Sequence, residues 1–264
     1  MNAFLETLRR LLAYTAWEME VPKAYGPLHL SFMVIGFTLA FFLAWRLRNV
    51  GERGNRAIML TIGIFLLVSE VYKQLMYELV VEPEPGYRWG IFPFQLCSIP
   101  MYFCLIVPFL KPGRVRQCMY DFMMTYNLLG GFLAFFEPSG LLHGHWTLTL
   151  HALVWHMMLV FVGVYIGLSG RGGIEKENYI GATVTFLILC VIAFAINCAF
   201  WEISERQINM FFVGPANNTV IVYSSIAEYC GWYVATAVYI PTVAIAALIF
   251  FFAFRLYGKK CRRT

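Results

Sequence analysis

The chain has 264 residues, 60% of them hydrophobic and only 13% charged, with a mean hydropathy of +0.66 and a formal net charge of +5. Soluble domains carry about a quarter charged residues, so this balance excludes a soluble globular enzyme and points to a polytopic membrane protein. The length suits one helical bundle, a single domain over 1–264. The basic residues gather in particular loops, which reads as membrane topology rather than as a nucleic-acid surface.

In chain order, residues 1–24 open the protein with mixed charges, leucines and aromatics and no long apolar core. They are expected to form an amphipathic segment at the membrane interface, without a cleavable signal peptide. A spanning helix needs roughly 20 apolar residues. Seven stretches qualify: 27–46, 57–80, 93–110, 117–136, 147–168, 180–200 and about 231–254. The third contains Pro93, Pro100 and Pro108 and the last contains Pro241, so both are expected to kink. The connection 205–230 is the longest. Its apolar run from Ile208 to Pro215 is expected to fold back over the outer end of the bundle, and Asn217-Asn218-Thr219 fits a glycosylation sequon. The seven cysteines are an odd set scattered over spans and tails, which reads as reduced packing residues rather than a disulfide framework. The tail 256–264 is basic.

The loops 46–56, 111–116 and 169–177 and the C-terminal tail carry 14 of the 20 basic residues; the opposite set of loops carries Arg9, Arg10, Lys23, Arg88 and Arg206. The positive-inside rule then places the N-terminus outside and the C-terminus in the cytoplasm. The expected fold is an all-α, multi-pass bundle of seven transmembrane helices in a cell membrane, the cytoplasmic membrane in a bacterial host.

Polar residues inside apolar spans are costly and usually face a protein interior or a wet cavity. Span 2 carries Glu70 and Lys73, three residues apart on one face, where they can neutralise each other or hold an oxyanion or phosphate. Span 3 carries Gln95 and Cys97; Phe94, Cys97, Met101 and Cys104 are expected to share a helical face. A thiol can attack a carbonyl carbon if a histidine deprotonates it, and is otherwise a soft packing residue. Asn127 and Asn197 suit hydrogen bonds between helices or to a ligand, and Gly130-Gly131 permits close helix approach. Span 5 carries His151 and His156 below His143 and His145. Five residues apart, His151 and His156 point about 140° from each other on a helix, which argues against one shared metal ion. Neither a metal nor a cofactor is expected. With the orientation above, most of these side chains fall in the outer half of the bilayer.

FPFQLCSIP in span 3, NLLGGFLAFFEP in span 4, HMMLVFVGVYIGL in span 5 and Asn197 followed by INMFFVGP resemble the bacterial YwaF-like integral membrane proteins, in order and spacing, across roughly residues 60–215. That family is distantly similar to an animal transmembrane acyltransferase that remodels ether phospholipids, and to two hydrolases of fatty-acid esters of hydroxy fatty acids. The resemblance implies a catalytic histidine at His156. It places Phe94 where the acyltransferase cysteine stands and Gln95 where a histidine is usual, leaving Cys97, one turn further on, as the candidate nucleophile.

The reading is therefore a lipid-acyl transacylase or hydrolase with His156, Cys97 and His151 as catalytic candidates. Gln95, Asn127, Lys73, Glu70 and Asn197 would line the substrate, and membrane lipids are the expected partners. The alternative is a non-enzymatic binding or transport protein that uses the same polar cavity for a small amphiphile. Oligomeric state has no signature in the sequence.

Overall fold

A computed structural model describes residues 3–81, 86–216 and 221–261. The sequon at Asn217-Asn218-Thr219 and the end of the basic tail, Arg262 and Arg263, lie outside them. Among the described residues the fold is all helical, apart from one isolated bridge between Glu18 and His145.

The helices are α1 (Ala3–Ala13), α2 (Pro27–Leu47), α3 (Glu52–Met76), α4 (Ile99–Ile106), α5 (Arg114–Phe122), α6 (Leu128–Leu133), α7 (Trp146–Leu168), α8 (Lys176–Ala199), α9 (Ile221–Cys230) and α10 (Trp232–Cys261). Five stretches among the described residues are long and apolar enough to cross a membrane: Pro27–Leu47, Glu52–Val81, Trp146–Leu168, Lys176–Ala199 and Trp232–Lys260. A π-helical segment, Met123–Asn127, joins α5 to α6 into one helical run over 114–133, roughly 30 Å long at 1.5 Å per residue.

α7 is the central post. Its residues from Leu159 to Gly167 are buried, and α2, α3, α6, the π-helical segment and α10 pack against it. Two glycines set its spacing from α6. A Cβ added at Gly131 would stand 2.8 Å from Leu159 Cβ, and one at Gly163 would stand 2.6 Å from Leu128 Cβ. Small residues at such crossings let helix backbones approach closely within a membrane. Gly130, by contrast, leaves ordinary space beside Leu96. α1 docks on one end of the bundle through Leu12, which packs with Met76, Tyr77, Leu79 and Leu148.

The third stretch departs from expectation. Residues 93–98 are not helical; α4 begins at Ile99 and, with a 3-10 turn, ends at Phe109. Phe94 and Cys97 therefore share no helical face with Met101 and Cys104. Pro93 and Pro100 bracket the turn; neither can donate a backbone hydrogen bond. The last helix also departs: α10 continues into the basic tail as far as Cys261, and Pro241 sits inside it.

A second irregular segment faces the first. Residues 207–213 carry little regular structure, yet Ile208, Met210, Phe211 and Val213 are buried. Glu205, Arg206, Phe211 and Phe212 adopt left-handed backbone conformations, with φ of 51°, 66°, 55° and 55°. Each costs about 1 kcal/mol or more unless surrounding contacts hold it. Asn197 of α8 supplies much of that hold. Its Nδ2 donates to the carbonyls of Met210 (3.0 Å) and Val213 (2.8 Å), and its Oδ1 accepts from the Met210 amide (2.7 Å).

Replacing Asn197 with Leu would leave the Val213 carbonyl and the Met210 amide without partners, while the Met210 carbonyl keeps only the Val213 amide. Each such group costs about 1–3 kcal/mol. Asn197→Leu is expected to lower the thermal unfolding midpoint in detergent sharply, while Ala at the neighbouring exposed Cys198 leaves it close to wild type.

Candidate functional site

Glu70, Lys73 and Gln74 on α3 form the polar centre. Glu70 is buried, and its Oε1 accepts from Lys73 Nζ at 2.8 Å and from Gln74 Nε2 at 2.6 Å. Gln74 also donates to the Ile91 carbonyl (2.8 Å) and accepts from the Tyr87 hydroxyl (2.9 Å). The helical spacing of 70, 73 and 74 puts all three on one face. Burial, with Glu70 next in order, pushes the Tyr87 phenol up to about 12, so it remains a donor at neutral pH. Gln74 was not singled out from the sequence, although its place four residues after a buried glutamate marks it as a partner.

The Lys73 ammonium lies within electrostatic range of His143, His151, His156 and the Cys97 thiol. Lysine, carboxylate, thiol and imidazoles predicted from three separate spans are thus gathered at one end of the bundle. His143, in the loop before α7, is held below the usual imidazole range by burial and then by Arg88.

His156 Nδ1 lies 2.8 Å from the Ala152 carbonyl one turn earlier. A carbonyl only accepts, so Nδ1 carries the proton and Nε2 bears the free lone pair. His151 stacks on Trp155 with ring centroids 5.5 Å apart, lies against the Ser69 carbonyl of α3, and its buried Nε2 has no partner. The two imidazoles thus have separate surroundings.

Cys97 sits in the turn before α4 and is partly buried. Trp155 Nε1 donates to its carbonyl at 3.0 Å, which ties the turn to α7 one residue from His156. Its Sγ is hydrogen-bonded to neither His151 nor His156.

Gln95 and Asn197 spend their amides on backbone. Gln95 Nε2 donates to the Asn209 carbonyl and its Oε1 accepts from the Phe211 amide, both at 2.9 Å. Both Nδ2 protons of Asn197 are committed to the same segment. Asn127 is fully buried in the π-helical segment. It donates to the carbonyls of Met123 (3.3 Å) and Leu159 (3.2 Å), while its Oδ1 has no partner. π-Helical turns inside α-helices occur frequently at functional sites.

One buried histidine escaped the sequence reading. His29 has no exposed surface; its Nδ1 accepts from the Tyr25 amide (3.1 Å), its ring stacks on Phe135, and its Nε2 is buried without a partner. It begins an otherwise apolar span, and nothing in the local sequence distinguishes it from an interfacial residue. No group of three or more His, Cys, Asp or Glu side chains among the described residues is placed to hold a metal ion.

The Glu70–Lys73 pair gives a clear expectation. Glu70→Leu strands a largely buried ammonium, which costs about 3 kcal/mol or more when one member of a buried pair is removed. Adding Lys73→Met should recover most of that loss. A double-mutant cycle by thermal unfolding in detergent measures the coupling; additive losses would mean that the pair does not hold its two side chains together.

The TMEM164 family model matches residues 24–253, most of the chain. No curated protein and no solved structure matches it. The apolar helices and this match agree, and the chain is a multi-pass membrane protein that belongs to the TMEM164 family.

Proposed function

We propose that this protein transfers or hydrolyses the acyl ester of a membrane lipid, with His156 as the base. The carrying observation is the His156 imidazole, whose Nδ1 is tied to the Ala152 carbonyl so that Nε2 is left as a free acceptor, within electrostatic range of the Lys73 ammonium. A general base needs a fixed tautomer and an uncommitted lone pair. The resemblance to acyltransferases with a catalytic histidine at this position supports the same role.

In this reading His156 Nε2 takes the proton of the Cys97 thiol, and the thiolate forms a C–S bond to the ester carbonyl carbon. The C–O bond breaks, and the leaving alkoxide takes the proton back from the imidazolium. Water or the hydroxyl of a second lipid then resolves the thioester. Lys73, anchored by Glu70, offsets the charge of the lipid phosphate. His151 is the alternative base. Gln95, Asn127 and Asn197 act by positioning the backbone around the site. The site requires Cys97 Sγ to approach an imidazole when substrate binds, and catalytic hydrogen bonds often tighten only in the complex.

The topology belongs to the same proposal: seven crossings, the N-terminus outside, the C-terminus in the cytoplasm of a cell membrane. The run 114–133 and the stretch from 93 to Phe109, half turn and half helix, would supply the two crossings beyond the five long helices. The loop charges support the orientation.

A second reading, a non-enzymatic carrier or receptor for an amphiphile, draws on a cavity of about 690 Å³ between α2 and α7, lined by Phe32, Ile35, Leu39, Val154, Met158 and Phe161 among others. That is the volume of a small-molecule site, and it contains none of the polar residues above.

Incubation of the purified protein with vesicles of acyl-labelled phospholipid tests the enzyme reading. His156→Ala is expected to reduce label transfer or release at least about 100-fold, the ordinary contribution of a general base, and Cys97→Ala to abolish labelling of the protein by a thiol-reactive acyl probe. Full activity in both variants would overturn the reading, and saturable lipid binding without turnover would favour the carrier.

A further inference from the structure

The basic face of the bundle holds a pocket unrelated to the polar centre. It has a volume of about 420 Å³ and lies between the start of α3, the 3-10 turn after α4 and the start of α5. Glu52 and Glu70 are 18 residues apart on one helix, so the pocket stands about 27 Å from the Glu70–Lys73 pair.

Its walls include Arg53, Arg56 and Arg116, with Glu52 as the only acid and Pro108 and Leu110 below. The charges are unequally engaged. Arg116 pairs with Glu52 and donates to the Tyr120 hydroxyl at 3.2 Å; its Nε is buried without a partner. Arg56 donates through Nε to the Pro108 carbonyl (2.8 Å) and stands 5.7 Å from the centre of the Phe109 ring. That bond fixes its guanidinium at the rim. Its terminal nitrogens, and the whole Arg53 guanidinium, have no hydrogen-bond or ion-pair partner among the described residues. Glu52 neutralises one arginine and leaves two positive charges facing the opening.

The backbone adds to this. α3 and α5 begin after Gly51 and Gly113, and neither start has a side-chain cap. The first amides of both helices are thus free for an anion, and the helix dipoles favour negative charge there. Beside the arginines the surface turns apolar: Phe109 is 70% exposed, Val115 64% and Ile106 43%. A free phosphate uses only the first part of this surface, whereas a phospholipid uses both.

We propose that this pocket binds the phosphate of an anionic phospholipid, with Arg53 and Arg56 as the phosphate ligands and the acyl chains lying along Ile106 and Phe109. The proposal is independent of any catalytic role for His156. Arg56 is the specific element, because its Nε–H bond to Pro108 presents the terminal nitrogens as a preformed fork for two phosphate oxygens.

Thermal unfolding of the full-length protein in neutral detergent tests it, with dioctanoyl phosphatidylglycerol, dioctanoyl phosphatidylcholine or inorganic phosphate added. The phosphatidylglycerol is expected to raise the midpoint in a saturable way, with the other two at least about tenfold weaker. Arg53→Gln with Arg56→Gln should weaken the response about tenfold or more, whereas Lys259→Gln with Lys260→Gln, on the exposed end of α10, should leave it unchanged. Both pairs replace exposed side chains, so the fold tolerates them. An equal response to phosphatidylcholine would overturn headgroup recognition. An equal response to inorganic phosphate would reduce the pocket to a simple anion site, and an unchanged response in the arginine variant would place lipid binding elsewhere.

Discussion

Two short stretches of irregular backbone lie against each other in this bundle, and one glutamine side chain joins them. Gln95 offers its amide to the Asn209 carbonyl and its carbonyl to the Phe211 amide. In hydrocarbon an unsatisfied backbone group costs several kcal/mol, so non-helical chain is tolerated only where protein supplies every partner. Much of the turn over 91–98 meets that demand. Gln74 bonds the Ile91 carbonyl, the Phe94 amide that of Phe92, the Tyr102 hydroxyl that of Pro93, and Trp155 that of Cys97; the Ser98 and Met101 amides serve Gln95 and Ser98. Asn197 serves the facing segment in the same way.

The same constraint shapes the polar centre. A regular helix would turn its backbone inward on itself and leave only side chains to face a ligand. The broken third stretch instead carries Cys97 on a turn anchored by α7, within electrostatic range of the Lys73 ammonium. The same partners that satisfy the turn also hold the chemistry-bearing groups: Gln74 bonds both Glu70 and the turn, and Trp155 bonds the turn while stacking on His151. Rigidity and placement come from one hydrogen-bond network. The opposite end of the bundle carries a separate polar layer. There Asp121 accepts from Gln117, Asn178 and the Gly173 amide, which pins the loop between α7 and α8.

Much of the helical architecture is legible in the sequence, because long apolar helices obey one-dimensional rules. α2, α7 and α8 begin and end close to where hydropathy puts them. Helical periodicity correctly joins Glu70 to Lys73. It fails over 93–98, where it assigns Phe94, Cys97, Met101 and Cys104 to one face; two prolines and a partner segment more than a hundred residues away decide that local shape. For the same reason Gln95 and Asn197 read as ligand residues. A buried amide that binds backbone and one that binds a substrate are identical in sequence, and only the position of the 207–213 segment separates them. His29 is hidden for the converse reason, since its burial depends on Phe135 and Tyr25 rather than on its own neighbours.

By these bonds the irregular pair of segments is held as firmly as the helices around it. Hydrogen–deuterium exchange in lipid nanodiscs measures this directly at the amides of Met210 and Phe211, which are bonded only to the side chains of Asn197 and Gln95. Protection comparable to that of the α7 amides between Leu159 and Gly167 is expected. Exchange of Met210 and Phe211 at the rate of an exposed loop would contradict it, and would remove the scaffold on which the proposed site rests.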